Sequence, residues 1–286
     1  MKFFFVIGFI FLFQSCRQAQ AVYTQNDIDI CESKFELANA ENLSSESLNE
    51  IIVEIGKSFI GEEYEAHTLD KNLDEQLVIH LSGLDCYTFL ESTLAVSRCI
   101  KKGNTTFSAF IGQLKEIRYR NGVLDGYPSR LHYFSDWIYN LNERGIIRDL
   151  SEEIGGIIYP NDVFFMSENP DKYKQLKDRP DLVEEIRKIE KEISSRVYYY
   201  IPRELILKIE QKILPGDIIG ITTNISGLDI AHTGIAVRLD DGRIHLLHAP
   251  NIGKKIQITD IPLADYINKS KVQTGIMLAR AVYTGG

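Results

Sequence analysis

The sequence predicts an α+β protein, with helices packed on an antiparallel sheet. Three observations carry this. The first half of the chain places apolar residues at helical spacings of three and four. The last third holds short apolar runs divided by turn residues. No internal repeat or Gly/Ser-rich linker divides the chain, so residues 45–286 read as one domain.

The elements follow in order. Residues 22–44 are polar and read as a loose lead-in. Ser44 or Ser45 is the expected cap of a helix whose face is Leu48, Ile51, Ile52, Ile55 and Phe59, ended by Gly61. Residues 74–80 fit a helix or an extended segment. Cys86 to Ile100 is a helix, with Phe89, Leu90 and Leu94 on its apolar side and Lys101-Lys102-Gly103 as a basic last turn and stop. Phe107 to Tyr119 is another, and the aromatic-rich stretch 130–141 a further one. Residues 167–197 form a charged excursion in which Leu182, Ile186, Ile189 and Ile193 share a helical face. That helix either lies on the domain surface or walls an active site. Pro215-Gly216-Asp217 then turns into the strand Ile218 to Ile221. Thr233 to Leu239 and Ile244 to His248 read as a hairpin joined by Asp240-Asp241-Gly242, and 272–282 as one or two last strands.

Composition narrows the function. With 32 Lys+Arg against 40 Asp+Glu the formal charge is −8. No basic cluster is present, which argues against a nucleic-acid partner. The values of 44% hydrophobic and 25% charged residues fit a globular chain and exclude a disordered or multi-span membrane protein. Residues 1–21 read as an export signal. Lys2 precedes an unbroken apolar run from Phe3 to Phe13, too short to span a bilayer. Two cleavage readings stand. Leu12-Phe13-Gln14-Ser15-Cys16 resembles a bacterial lipobox, with Cys16 lipidated, and is the favoured one. Ala19-Gln20-Ala21 fits ordinary signal peptidase. Either places the protein in a bacterial periplasm or cell envelope, touching membrane only through a lipid anchor. Export permits disulfides, and Cys31 and Cys99 are a possible pair, but the sequence does not choose among connectivities.

Candidate chemistry centres on Cys86. It sits where the loop Ser82-Gly83-Leu84-Asp85 becomes a helix. Free N–H groups and the dipole of a helix start are expected to lower the thiol pKa and to hold an oxyanion. The alternative is an inert buried cysteine. His232 opens a strand beside Gly234. His245 and His248 follow on the returning strand and, by alternation, point to opposite faces, so only one can meet His232. Cysteine, then histidine, then a further polar residue is the order of a papain-like triad. No Cys-x-x-Cys or His-x-x-x-His spacing suggests a zinc site, and no cofactor or metal is expected.

These segments resemble the NlpC-type papain-like cysteine hydrolases of bacterial cell walls. The resemblance rests on Asp85-Cys86, Pro215-Gly216-Asp217, His232-Thr233-Gly234-Ile235 and His248-Ala249-Pro250. Phe59-Ile60-Gly61 followed by Tyr64 looks like the Gly-x-x-Tyr segment whose tyrosine lies beside the nucleophile. The even spacing of sixteen from His232 to His248 keeps both on one face, while the thirteen to His245 does not. Two features depart from the pattern. Tyr87-Thr88 stands where Ser-Gly often follows the nucleophile, and Cys86 and His232 are 146 residues apart, implying a large, mostly helical insertion at about 104–214. With Ser129-Arg130-Leu131-His132-Tyr133-Phe134-Ser135-Asp136-Trp137 and Tyr198-Tyr199-Tyr200-Ile201-Pro202, these features look like the subgroup of N-acetylmuramoyl-L-alanine amidase-like proteins.

The resemblance implies a papain-like core and hydrolysis of the amide between N-acetylmuramic acid and L-alanine in peptidoglycan fragments. It makes Cys86 the nucleophile, His232 the base, His248 its orienting partner, and Tyr64 and Asp85 their support at the oxyanion side. Arg130, His132, Asp136 and Trp137 are the candidates for substrate binding, with Trp137 stacking on a sugar; the alternative for these four is a structural aromatic helix with an internal ion pair. Two other functions remain in view: an endopeptidase cutting the D-glutamyl–diaminopimelate bond of the same stem peptide, and an inactive cell-wall binding protein.

Overall fold

The computed structural model describes residues 21–160, 162–251 and 255–283. The stretch expected to be an export signal, Cys16 with it, lies outside them except for Ala21.

The stretch expected to be loose is a helix, α1 (Gln25–Ala40). Thr24 and Asp27 close a capping box, each side chain accepting the other's backbone N–H. Its inner face is Asp27, Cys31, Lys34, Phe35 and Ala38. Two of the five are charged, so the stripe does not read as apolar. Both charges are spent inside: Asp27 accepts the Leu81 N–H and Lys34 donates to the Ser58 carbonyl. Helix α2 (Leu48–Lys57) is capped by Ser47, not by Ser44 or Ser45, which lie in a 3₁₀ turn. Only Ser47 has a glutamate three residues on, and Glu50 returns the bond. The helix stops at Lys57, four residues before Gly61.

Helix α3 (Cys86–Lys101) is almost wholly buried, and α4 (Phe107–Arg118) packs on it. Residues 74–80 form neither helix nor strand beyond a bridge of Val78 to Val22. Helix α5 (Phe134–Glu143) starts later than expected, because Arg130 is extended and bridged to Tyr119. Between there and residue 214 come β1 (Ile147–Asp149), β2 (Ile157–Ile158), α6 (Phe165–Glu168), α7 (Pro180–Ser194), β3 (Tyr199–Pro202) and α8 (Arg203–Ile209). The stretch is therefore not only helical: β1 and β3 join the main sheet. The last third gives β4 (Ile218–Thr223), β5 (Ile230–Arg238), β6 (Ile244–His248), β7 (Gln257–Ile258), α9 (Leu263–Asn268) and β8 (Gln273–Ala281).

The strands pair antiparallel in the order β2-β3-β8-β4-β5-β6-β7, with β1 on the edge of β8 beside β3. Period-two alternation sorts the sheet's residues to two cores. Ile218, Ile235, Val237, Leu247, Met277 and Ala279 face α1 to α5. Ile219, Ile221, Ala236, Leu246, Ile276 and Leu278 face α8 and α9. The result is a mixed α/β fold, an antiparallel sheet between two helical layers. Helix α7 lies on the surface. Ile186 and Ile193 pack on Tyr127, Tyr133, Val163 and Met166 in a small separate cluster, and Glu190 accepts the Tyr133 hydroxyl at 2.7 Å.

Candidate active site

Cys86 is the first residue of α3, and the capping residue before it fixes its surroundings. The Asp85 carboxylate accepts the N–H groups of Tyr87 and Thr88 and the Thr88 hydroxyl, while Thr88 accepts the Asp85 N–H. Two of the helix-start donors are thereby taken by the protein itself. The backbone N–H of Thr233, next to His232, is directed at the Cys86 sulfur. This is how strand β5 meets the helix start.

His232 and His248 come together as their even spacing requires. His232 Nε2 and His248 Nδ1 are 2.7 Å apart. A bulge opposite Ile221 and Thr222 makes Ala231 an extra residue in β5 just before His232. His245 points to the other face, its Nδ1 on the Thr259 carbonyl at 2.7 Å and its Nε2 3.1 Å from Asp241. Cys86, His232, His248 and Tyr64 line one cavity of about 550 Å³ with Gln257, Asp260, Tyr266, Lys269 and Gln273. A second cleft of about 260 Å³ shares Tyr64 and is lined by Asp85, Tyr87, Arg130 and His132.

Burial dominates the electrostatics. It raises the Cys86 thiol to about 12, helped by the Asp85 carboxylate and opposed by the N–H groups of Thr233, Cys86 and Tyr87. The expected lowering of this thiol by the helix start is thus overturned: desolvation of a thiolate outweighs three N–H groups. Burial lowers His232 to about 4, and burial followed by repulsion from His232 lowers His248 to about 3. The resting pair is therefore thiol and neutral imidazole. Tyr64 is raised to about 12, first by burial and then by Cys86 and Asp85, so its hydroxyl keeps its proton.

The four substrate-binding candidates separate. Arg130 and His132 line the second cleft. Arg130 pairs with Asp70 at 2.8 Å and Glu75 at 3.3 Å, and His132 Nε2 donates to the Tyr127 carbonyl. Asp136 and Trp137 do not reach either space. Asp136 is buried and bridges Arg120 and Arg196. Trp137 has no exposed surface and stacks on Phe134 at 5.4 Å. The expectation that it stacks on a sugar is corrected. For Trp137 the alternative of a structural aromatic helix holds: its ring belongs to the core. Helix α7 lines neither space. Gln257, Asp260, Tyr266, Lys269 and Gln273 carried no sequence signal as cavity residues; Tyr266 lies on α9 and Gln273 at the start of β8.

The AmiA-like family model, described as N-acetylmuramoyl-L-alanine amidase-like, matches residues 54–276. The chain belongs to this N-acetylmuramoyl-L-alanine amidase-like family. Among solved structures, the amidase-like chain is similar to an N-acetylmuramoyl-L-alanine amidase from Bacteroides uniformis. Identity is 35%, TM-score 0.79, with 82% of this chain and 99% of that chain covered. It is also similar to a Bacteroides fragilis protein assigned as a xylanase candidate, at 37% identity and TM-score 0.74 over 79% of this chain and 99% of that one. A Legionella pneumophila protein at 20% identity and TM-score 0.65, covering 91% and 97% of the two chains, shares the fold. No curated protein sequence matches the amidase-like chain.

Proposed function

We propose that the protein is a cysteine amidohydrolase that cleaves the amide between N-acetylmuramic acid and L-alanine in peptidoglycan fragments, on an NlpC-type papain-like core carrying an insertion at about 104–214. The observation that carries this reading is the meeting of Cys86 at a capped helix start with the His232–His248 pair in one cavity. His232 Nε2 is engaged by His248, so Nδ1 is the nitrogen free to serve Cys86. The thiol gives its proton to that nitrogen as sulfur attacks the lactyl carbonyl. The Cys86 N–H and the Tyr64 hydroxyl stabilise the oxyanion. Collapse breaks the C–N bond, the imidazolium protonates the departing alanine nitrogen, and a thioester remains. His232 then takes a proton from water, which attacks the thioester to give the free sugar acid and the thiol. His248 orients His232 and accepts from its Nε2–H. Asp85 holds the helix start.

A glycosidase reading, raised by the xylanase candidate, requires two carboxylates flanking a glycosidic bond. Among the described residues lining the cavity, Asp260 is the only carboxylate. The D-glutamyl–diaminopimelate endopeptidase would use the same groups and is separated by products. Digestion of purified muropeptides, read by mass, is expected to give free sugar acid and intact stem peptide. Muramoyl-L-Ala-D-Glu together with a peptide that begins with diaminopimelate would install the endopeptidase. The export leader adds a proposed envelope location with a lipid on Cys16. Cys16→Ser is then expected to leave the membrane fraction.

A further inference from the structure

Tyr266 and Gln273 stand on the histidine side of the cavity. Helix α9 sets the Tyr266 ring edge-on to His248, centroids 5.6 Å apart and planes at 83°. Gln273 opens β8, its N–H on Ser270 Oγ and its Cα opposite Thr223 of β4. The Gln273 side chain donates to the Tyr266 hydroxyl oxygen. That donation leaves Oε1, which is buried and has no hydrogen-bond partner among the described residues. A desolvated amide oxygen without a donor is costly and rare in a folded protein, and one in the wall of a cavity is a place where a ligand supplies the donor. The pair therefore presents one acceptor, Gln273 Oε1, and one donor, the Tyr266 O–H. A peptide group offers the complement, an N–H and a C=O in one plane.

Chemistry says which peptide group. His232 must hand its proton to the leaving nitrogen, so the leaving half of the substrate lies on the side of His232 and His248, where Tyr266 packs. We propose that Tyr266 and Gln273 are a specificity-determining pair that reads the first peptide bond of the departing stem, the one joining L-alanine to the next residue. This rests on the amidase reading. It makes the preferred substrate a muramoyl peptide of at least two residues.

The test compares N-acetylmuramoyl-L-alanine, which has a carboxylate at that place, with N-acetylmuramoyl-L-alanyl-D-isoglutamine. The wild type is expected to favour the longer substrate in kcat/KM by roughly ten- to hundredfold. Gln273→Ala is expected to lose most of that factor on the longer substrate and far less on the shorter, so that the preference collapses. Tyr266→Phe should act in the same direction. Gln273→Glu, which keeps an acceptor oxygen, should recover part of it. A thermal melt shows whether each variant is folded. Equal loss on both substrates would make Gln273 structural and overturn the proposal, as would a wild type that does not distinguish them. Cleavage of neither substrate by the wild type would remove the amidase reading itself.

Discussion

His232 Nε2 and His248 Nδ1 face each other at 2.7 Å, so a single proton lies between two rings that burial keeps neutral. If His248 accepts, His232 Nδ1 is bare and can act as a base. If His248 donates, it cannot. His248 thus sets the tautomer of His232, which is what the proposed orienting role requires.

His248→Ala should therefore lower kcat by less than the ~10²–10⁴ typical of losing a general base outright, with His232→Ala the more damaging. His245→Ala should leave turnover intact while costing roughly 1–3 kcal/mol of stability, because the buried Thr259 carbonyl loses its donor. Steady-state kinetics and denaturant melts on the three variants check this. A kinetic defect confined to His245→Ala would mean the wrong face of β6 meets His232.

The resting state also fixes how the thiol reacts. A thiol raised to about 12 beside imidazoles lowered to about 4 and about 3 is not an ion pair. Alkylation of Cys86 by iodoacetamide should be slow near neutral pH and climb with each unit above it, following the thiolate fraction. A fast plateau through weakly acidic pH would show a thiolate–imidazolium pair instead.

A third expectation concerns acid stability. His132 is lowered to about 3, mainly by burial and then by Arg130. Its folded pKa lies below the unfolded value of about 6.5, so the unfolded chain binds this proton first as pH falls. The His132 contribution is complete above about pH 6.5 and is lost toward the folded value, at up to about 1.4 kcal/mol per pH unit. Between about pH 7 and about pH 5 the His132→Gln melting temperature should fall less than that of the wild type. Parallel curves would contradict the assignment.

How far the sequence reached depended on whether a signal was local. The β5–β6 hairpin, the even His232–His248 spacing and helix α3 follow from periods of two and 3.6, which the fold respects. Helix α1 escaped because Asp27 and Lys34 interrupt its buried stripe, and their partners, Leu81 and Ser58, are remote. Gln273 escaped because β8 reaches the site only by pairing with β4 across the sheet, Thr223 opposite Gln273, and Tyr266 because only the packing of α9 on β6 sets its ring against His248. Trp137 stays open between binding and packing in the sequence, because composition cannot separate an aromatic that binds from one that packs.

Trp137 accordingly supplies a prediction about stability alone. Trp137→Ala should cost ~3–5 kcal/mol, the usual range for emptying a large aromatic site. Trp137→Phe should fold and keep kcat/KM. A raised KM in Trp137→Phe at unchanged melting temperature would return the residue to the substrate site.

The nucleophile is the claim on which the mechanism stands, and turnover of muropeptides by Cys86→Ala tests it most directly. The account predicts that the variant folds with the wild-type melting profile and loses at least about 10⁴ in kcat, the scale expected when a nucleophile is removed. A folded Cys86→Ala protein that still released sugar acid and stem peptide within about tenfold of the wild type would contradict it.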